Sequence, residues 1–250
     1  MLAAADTPAR ARATRRRIGR AGPFMSERQD PPTMRGAGGL MSADPKRRPF
    51  APRAAAADIV QPTLHQSLRE ATRATHERLH LHPGFLAVQN GTIAPHAYRA
   101  LLSRLYGFHL PFEQSAAIGA DRSGWLCDDL AVLGMSAEAI ASLALCDTLP
   151  RLDNGGRRLG ALYVIEGSAL GGLVLGKSLD GLLGFDGRQG RRFFFGHGRG
   201  AASAWSVFLA QLADPEMTPA CRHDTVEAAV QTFAVFEEWL NGWEETHGCN

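Results

Sequence analysis

The chain has 250 residues, of which 45% are hydrophobic, and a formal net charge of +2, so it can fill a core and lacks the overall charge excess of a polyanion binder. The charge is unevenly spread: residues 1–57 hold 12 Lys/Arg against 4 Asp/Glu, a net +8 that leaves −6 on the rest. No secretory apolar core and no run of about 18 apolar residues is read from the sequence, which argues against export and membrane insertion.

Residues 1–57 are rich in Arg, Ala, Pro and Gly without apolar periodicity, and read as a disordered basic extension. Its Arg-rich, acid-poor makeup mimics a transit peptide. An unstructured extension, or a true start at Met25, Met34 or Met41, is preferred to a nucleic-acid arm built on Arg15, Arg16 and Arg17. Residues 58–250 read as one all-α domain.

Thr63 opens a first helix through a capping box with Gln66, and Leu64, Leu68, Ala71, Thr75 and Leu79 recur at helical spacing until Pro83-Gly84 ends the run. A second helix starts near Pro95, carries Tyr98, Leu101, Leu102, Leu105 and Phe108, and should kink or break at Pro111. Shorter helices are expected over Trp125–Leu133 and, capped by Ser136, over Ala137–Leu145. Asp153 or Asn154 caps a glycine-rich helix reaching Leu183; a loop spans Gly184–Gly200; helices follow at Ala201–Ala213 and from Pro219, behind the Thr218 cap, to about Trp243. No strand or internal repeat is read. Cys127, Cys146, Cys221 and Cys249 form no C-x-x-C pair, which fits a reducing, cytoplasmic setting.

Gly160, Gly167 and Gly171 fall on one stripe of the glycine-rich helix. Each disfavours the helix by about 0.5–1 kcal/mol relative to alanine, so something must approach the backbone closely or the helix must bend. Small residues four apart also allow plain helix packing. His76, late in the first helix at the edge of its apolar face, could ligate a metal or a heme iron, or simply pack. His76, Glu77 and His80 satisfy H-E-x-x-H literally, but no third zinc ligand is recognisable downstream. Glu77–His80 and Glu244–His247, with Glu113 and Glu166 as lone carboxylates, would also suit a di-iron bundle.

From about Leu64 to Trp243 the chain resembles the heme oxygenase family, in particular its bacterial, bacteriophytochrome-associated branch, and four segments carry the likeness. LREATRATHERLH (Leu68–His80) resembles the proximal helix, with His76 at the axial iron-ligand position. YRALLSRLYGFHLPFE (Tyr98–Glu113) resembles the second helix. LGALYVIEGSALGG (Leu159–Gly172) resembles the distal helix, and FFFGHGRG (Phe193–Gly200) a following loop, with His197 where tyrosine is more usual.

The resemblance implies a heme oxygenase-like helical bundle that cleaves heme, both cofactor and substrate, to biliverdin, ferrous iron and carbon monoxide with O2 and an external reductant. Ferredoxin or ascorbate would donate the electrons, and a bacteriophytochrome could receive the biliverdin. Gly167, Ser168 and Gly171 are the implied catalytic face, and Gly172 adjoins it in the cofactor site. Ser168 stands where better-known animal members carry aspartate. Arg69 and Arg73 are candidate partners for the heme propionates. Heme binding or delivery without turnover, and the di-iron reading, stay open as alternatives; neither a membrane nor a nucleic acid is an expected partner.

Overall fold

The computed structural model describes residues 62–119, 121–184 and 187–243; the basic extension, Glu244–His247 and Cys249 lie outside the described residues. Within them the chain forms α1 (Leu64–His80), α2 (Pro83–Gln89), α3 (Pro95–Ala116), α4 (Asp121–Val132), α5 (Ala137–Ala141), α6 (Gly155–Ser178), α7 (Asp180–Leu183), α8 (Arg192–Phe195), α9 (Ala201–Leu212) and α10 (Pro219–Leu240). A 3-10 turn, Gly198–Gly200, joins α8 to α9, and among the described residues there is no strand.

Local chemistry explains the helix starts. The Thr63 capping box is closed on both sides, Gln66 N–H donating to Thr63 Oγ1 (3.2 Å) and Thr63 N–H to Gln66 Oε1 (2.8 Å). Asn154, not Asp153, caps α6 by accepting from Arg157 N–H, and Thr218 caps α10 ahead of Pro219. The buried face of α1 is Leu64, Leu68, Thr72 and Leu79. Ala71, expected inside, is exposed. Thr72 takes the buried place because its hydroxyl donates to the Leu68 carbonyl (2.8 Å).

Several boundaries differ from the sequence-based expectation. Pro83 does not merely end α1; it begins α2, which His82 caps by accepting from Gly84 N–H (3.2 Å). α4 starts four residues early and α5 ends before Leu145. The helix expected to reach Leu183 breaks at the fully buried Leu179, and the glycine-rich loop contains the short α8.

Pro111 neither breaks nor ends α3. A proline removes the donor that would bond the carbonyl four residues back. Here that carbonyl, on Gly107, accepts instead from Cys146 N–H (2.8 Å). The same glycine lets the segment after α5 approach α3, since a β-carbon at Gly107 would overlap the Ala144 carbonyl and Trp239. Gly107 and Pro111 together convert a lost intrahelical bond into a tertiary one.

α10 is the central helix and packs along both α6 and α1. Leu101, Leu102, Leu105, Leu126 and Leu130 fill the core between α3 and α4, and Phe108 and Phe112 extend it toward Phe236 and Trp239 of α10. Each such fully buried Leu or Phe contributes about 1.5–3 kcal/mol. By length and composition α6 is apolar enough to cross a bilayer, which the sequence reading did not find. Its packing against α10, α8 and α9 is that of a core helix.

Candidate functional site

The glycines of α6 separate by what they face. A β-carbon on Gly160 would overlap the Thr225 carbonyl of α10, and one on Gly156 would stand 2.7 Å from the Cys221 carbonyl. Gly172 is buried with its α-carbon turned to the Phe194 carbonyl, seating α8 against α6. These three serve helix packing. Gly167 meets the indole of Trp205 at ordinary contact distance, and at Gly171 nothing lies within 4 Å. Ser168, Leu170, Gly171 and Val174 are exposed, so α6 carries an outward face that is open at Gly171 and apolar beside it.

His76 is exposed on one side, with its ring edge-on to Phe233 of α10 (centroids 6.2 Å apart) and to His80 (4.5 Å). Partial burial first, then His80, hold its imidazole below the ordinary histidine range, against the opposing pull of Glu77. The ring is therefore neutral at pH 7, the form that offers a lone pair to a metal.

Helix register relates this ring to the open face. Gly156 closes on Cys221 and Gly160 on Thr225 and Ala229, so α6 and α10 run in the same direction. His76 packs on Phe233 and Arg78 pairs with Glu237, so α1 runs that way too. Thr72 of α1 lies near the Tyr163 hydroxyl of α6, which gives the two helices a common level. Four residues on, roughly 6 Å along each axis, come His76 on one helix and Gly167 on the other.

Around this level the walls are aromatic. Trp205 of α9 lies 5.7 Å from Tyr163 and 6.1 Å from His65, and stacks on Phe208. Behind α6 runs a buried polar chain. Ser168 Oγ–H donates to the Ile165 carbonyl (2.7 Å), which also accepts from Arg122 Nη2 (3.2 Å). Arg122 pairs with Glu166 (3.3 Å), and its own backbone N–H and that of Ser123 donate to Glu113. α6 is thus pinned from α4 one residue before Gly167.

Arg69 is exposed and lies close enough to Tyr163 to favour its ionised form, although burial dominates and raises that hydroxyl. Arg73 lies along its own helix, paired with Glu70 (3.1 Å) and Glu77 (3.9 Å). His197 packs edge-on to Trp125 (5.0 Å), between Gly196 and Gly198, both at positive φ.

The carboxylates invoked for a di-iron centre are engaged elsewhere: Glu113 is buried as the cap of α4, Glu166 is held by Arg122, and Glu77 faces solvent. Among the described residues no three His, Cys, Asp or Glu side chains gather as a metal cluster. Among the described residues the carboxylates of that reading do not converge, and Glu244–His247 lie outside them.

Tyr163, Thr72, Phe233, Trp205 and Arg122 were not singled out from sequence. Tyr163 had a signal, since it stands one turn before Gly167. Trp205 and Arg122 had none, because their approach to α6 is made only by the fold.

The heme oxygenase family model matches residues 62–242. None of the curated proteins is similar enough in sequence to match. Among solved structures, the NO- and CO-bound heme oxygenase of Neisseria meningitidis is 23% identical, with a TM-score of 0.55, covering 73% of this chain and 92% of its own. The heme oxygenase-1 of Synechocystis sp. PCC6803 in complex with heme is 16% identical, with a TM-score of 0.58, covering 74% and 94%. A domain of unknown function with a heme oxygenase-like fold from Shewanella denitrificans is 15% identical, with a TM-score of 0.60 and the same coverage. At these identities the likeness speaks for the fold, a heme oxygenase-like helical bundle. With the family match across nearly all of the described residues, the chain belongs to the heme oxygenase family.

Proposed function

We propose that this chain is a heme-degrading oxygenase, opening heme to biliverdin with release of ferrous iron and carbon monoxide, using O2 and electrons from an external reductant. The observation that carries the reading is the register that sets a neutral His76 level with Gly167, whose helix opens at Gly171 one turn on. The residues suit such a ligand. His76, with no carboxylate cluster about it among the described residues, would suit an iron already held by a ring, and the open Gly171 position beside Leu170 and Val174 would suit a flat apolar ring.

Heme would supply both the iron that takes up oxygen and the ring that is opened. His76 would hold the iron from the α1 side. On the α6 side Gly167 and Gly171 would let a ring approach the peptide groups, with the Trp205 indole beside Gly167. Ser168 spends its proton on the Ile165 carbonyl, so its oxygen remains an acceptor able to orient one water on that face. Gly172 contributes at one remove, by seating α8 behind the helix. Arg69 and Arg73 offer positive charge on the α1 face for the ring's carboxylates, Arg73 after leaving Glu70 and Glu77.

Ferredoxin or ascorbate is the proposed donor, and a bacteriophytochrome the proposed recipient of biliverdin. A cytoplasmic setting agrees with the free thiols of Cys127, Cys146 and Cys221. Titration with hemin tests the binding half: wild type should develop a histidine-ligated Soret band that His76→Ala loses and added imidazole restores. A Soret band unchanged in His76→Ala would contradict it. A complex that forms normally but survives reductant and air would leave a heme-binding or delivery protein.

A further inference from the structure

Two buried charged residues of α4, Arg122 (7% exposed) and Asp129 (1% exposed), stand two turns apart on one face of the helix. That spacing spans roughly 10 Å. Arg122 holds α6 directly, at Ile165 and Glu166. Asp129 reaches the same helix through α8. Its Oδ1 accepts from Arg192 N–H (2.8 Å) and its Oδ2 from Phe193 N–H (2.9 Å). The next residue, Phe194, lays its carbonyl on Gly172, and its Cβ lies against Gly176. Phe194 stacks on Tyr98 of α3 (6.4 Å), whose hydroxyl donates to the Gly190 carbonyl (2.7 Å), and Arg191 Nη1 donates to the Gly176 carbonyl (3.1 Å). From Glu166 to Gly172 is roughly 9 Å along α6, which matches the spacing on α4. The two α4 residues thus grip α6 on either side of Gly167 and Gly171.

We propose that Asp129 is a positioning residue for the open face of α6: by holding the start of α8 it sets how closely Phe194 presses on Gly172, and so where the backbone of Gly171 stands. The consequence for turnover rests on the heme-degrading reading above; the bracing itself does not. The charged and titratable groups that face this carboxylate are Asp128 on α4, Arg192 at the start of α8, Arg188 in the cleft beside it and Tyr98 of α3, which Arg191 also faces. Burial pushes the carboxyl up to about 6 despite its two N–H donors, with a smaller push from Asp128 and a smaller pull from Arg192. The folded state therefore takes the proton more readily than the unfolded chain, whose value is about 3.9. Stability tied to this group rises, not falls, as pH drops through about 6. What weakens is the hold on α8. A protonated carboxyl keeps one carbonyl oxygen for two N–H donors, its hydroxyl being the weaker acceptor.

The test compares the full chain with Asp129→Asn, which keeps the shape but turns one acceptor into a donor. In the heme-free proteins at about pH 7.5, amide hydrogen exchange in α8 and from Gly171 to Gly176 should be about 10-fold faster or more in the variant. The ratio of the two exchange rates should shrink toward one as pH falls through about 6, because the wild-type carboxyl then carries a proton. With hemin bound, turnover by the variant should fall about 10- to 100-fold at about pH 7.5, and that ratio should shrink over the same range. Gly172→Ala attacks the brace from the other side with Asp129 intact, since its β-carbon would meet the Phe194 carbonyl, and should speed exchange of the same amides. It serves as the test if Asp129→Asn does not fold. Exchange in α6 equal to wild type, or a ratio that stays constant from about pH 8 to pH 5, would overturn the assignment. Faster exchange spread evenly over every helix would overturn it as well, being the mark of a destabilised fold. Equal turnover by the variant and an active wild type would remove Asp129 as a positioning residue. Faster exchange confined to α6 and α8, beside a wild type that leaves hemin intact, would keep the brace and overturn the heme-degrading reading instead.

Discussion

The indole of Trp205 lies against Gly167, its Cη2 atom 3.6 Å from where a β-carbon on that glycine would stand. A methyl group fits there without strain, so Gly167→Ala should fold, gaining up to about 0.5–1 kcal/mol from helix propensity. It should nonetheless weaken hemin binding or turnover, because a side chain would enter the face on which the ring is proposed to lie. Gly171→Leu, at a position with nothing within 4 Å, should show the same separation more strongly. Thermal unfolding beside hemin titration checks both; a loss of stability matching the loss of function would return these glycines to plain packing.

Gly160 should behave in the opposite way. Its backbone touches that of Thr225 and Ala229, so Gly160→Ala forces α6 and α10 apart. The expected loss is about 1–3 kcal/mol or more, as for an overpacked core, read from urea unfolding. Any loss of heme binding should follow only from that loss of stability.

The fold was legible where local chemistry decides. The Thr63, Ser136 and Thr218 caps mark the starts of α1, α5 and α10, and apolar spacing marks α1 and α3. It was not legible where a distant residue decides. Pro111 reads as a breaker until Cys146 is seen to satisfy the Gly107 carbonyl, and Ala71 reads as core until Thr72 is seen to satisfy its own hydroxyl. The candidate site divides likewise. His76 and the α6 glycines are visible as a ring donor and a missing side chain, but the level they share comes from the Thr72–Tyr163 contact and from two helices laid along α10.

Arg122 should act on the site from behind. Arg122→Ala leaves Glu166 unpaired and removes a donor from the Ile165 carbonyl, the acceptor that Ser168 shares. Stability should fall by about 1.5–3 kcal/mol. Turnover should fall beyond that, since the α6 turn that carries Ile165, Glu166 and Gly167 loses its anchor on α4. Ser168→Ala, which is exposed, should slow turnover with little change in unfolding; equal turnover in Ser168→Ala and wild type would remove the serine from the account.

Acid sensitivity should trace to His109. This ring is 3% exposed, its Nδ1 has no hydrogen-bond partner, and burial, aided by the Arg122 charge, pushes it down to about 3. A folded-state value below the unfolded one near 6.5 means that the unfolded chain binds the proton more readily. The stability from a neutral His109 is complete above about pH 6.5 and is lost as pH falls toward 3, with about 2 kcal/mol gone by pH 5. His109→Phe, packed among Phe108 and Phe193, should flatten this dependence while changing stability little at pH 7. Urea unfolding at pH 7 and pH 5 measures the difference; identical pH slopes for the two proteins would contradict it.

The central claim is that the His76–Gly167 level is a site where heme is opened, and product analysis tests it most directly. The hemin complex is mixed with ascorbate or a ferredoxin system in air, and the pigment and gas are identified. The account predicts biliverdin with carbon monoxide from wild type, and neither at a comparable rate from His76→Ala. Intact heme recovered quantitatively from the wild-type reaction would contradict it.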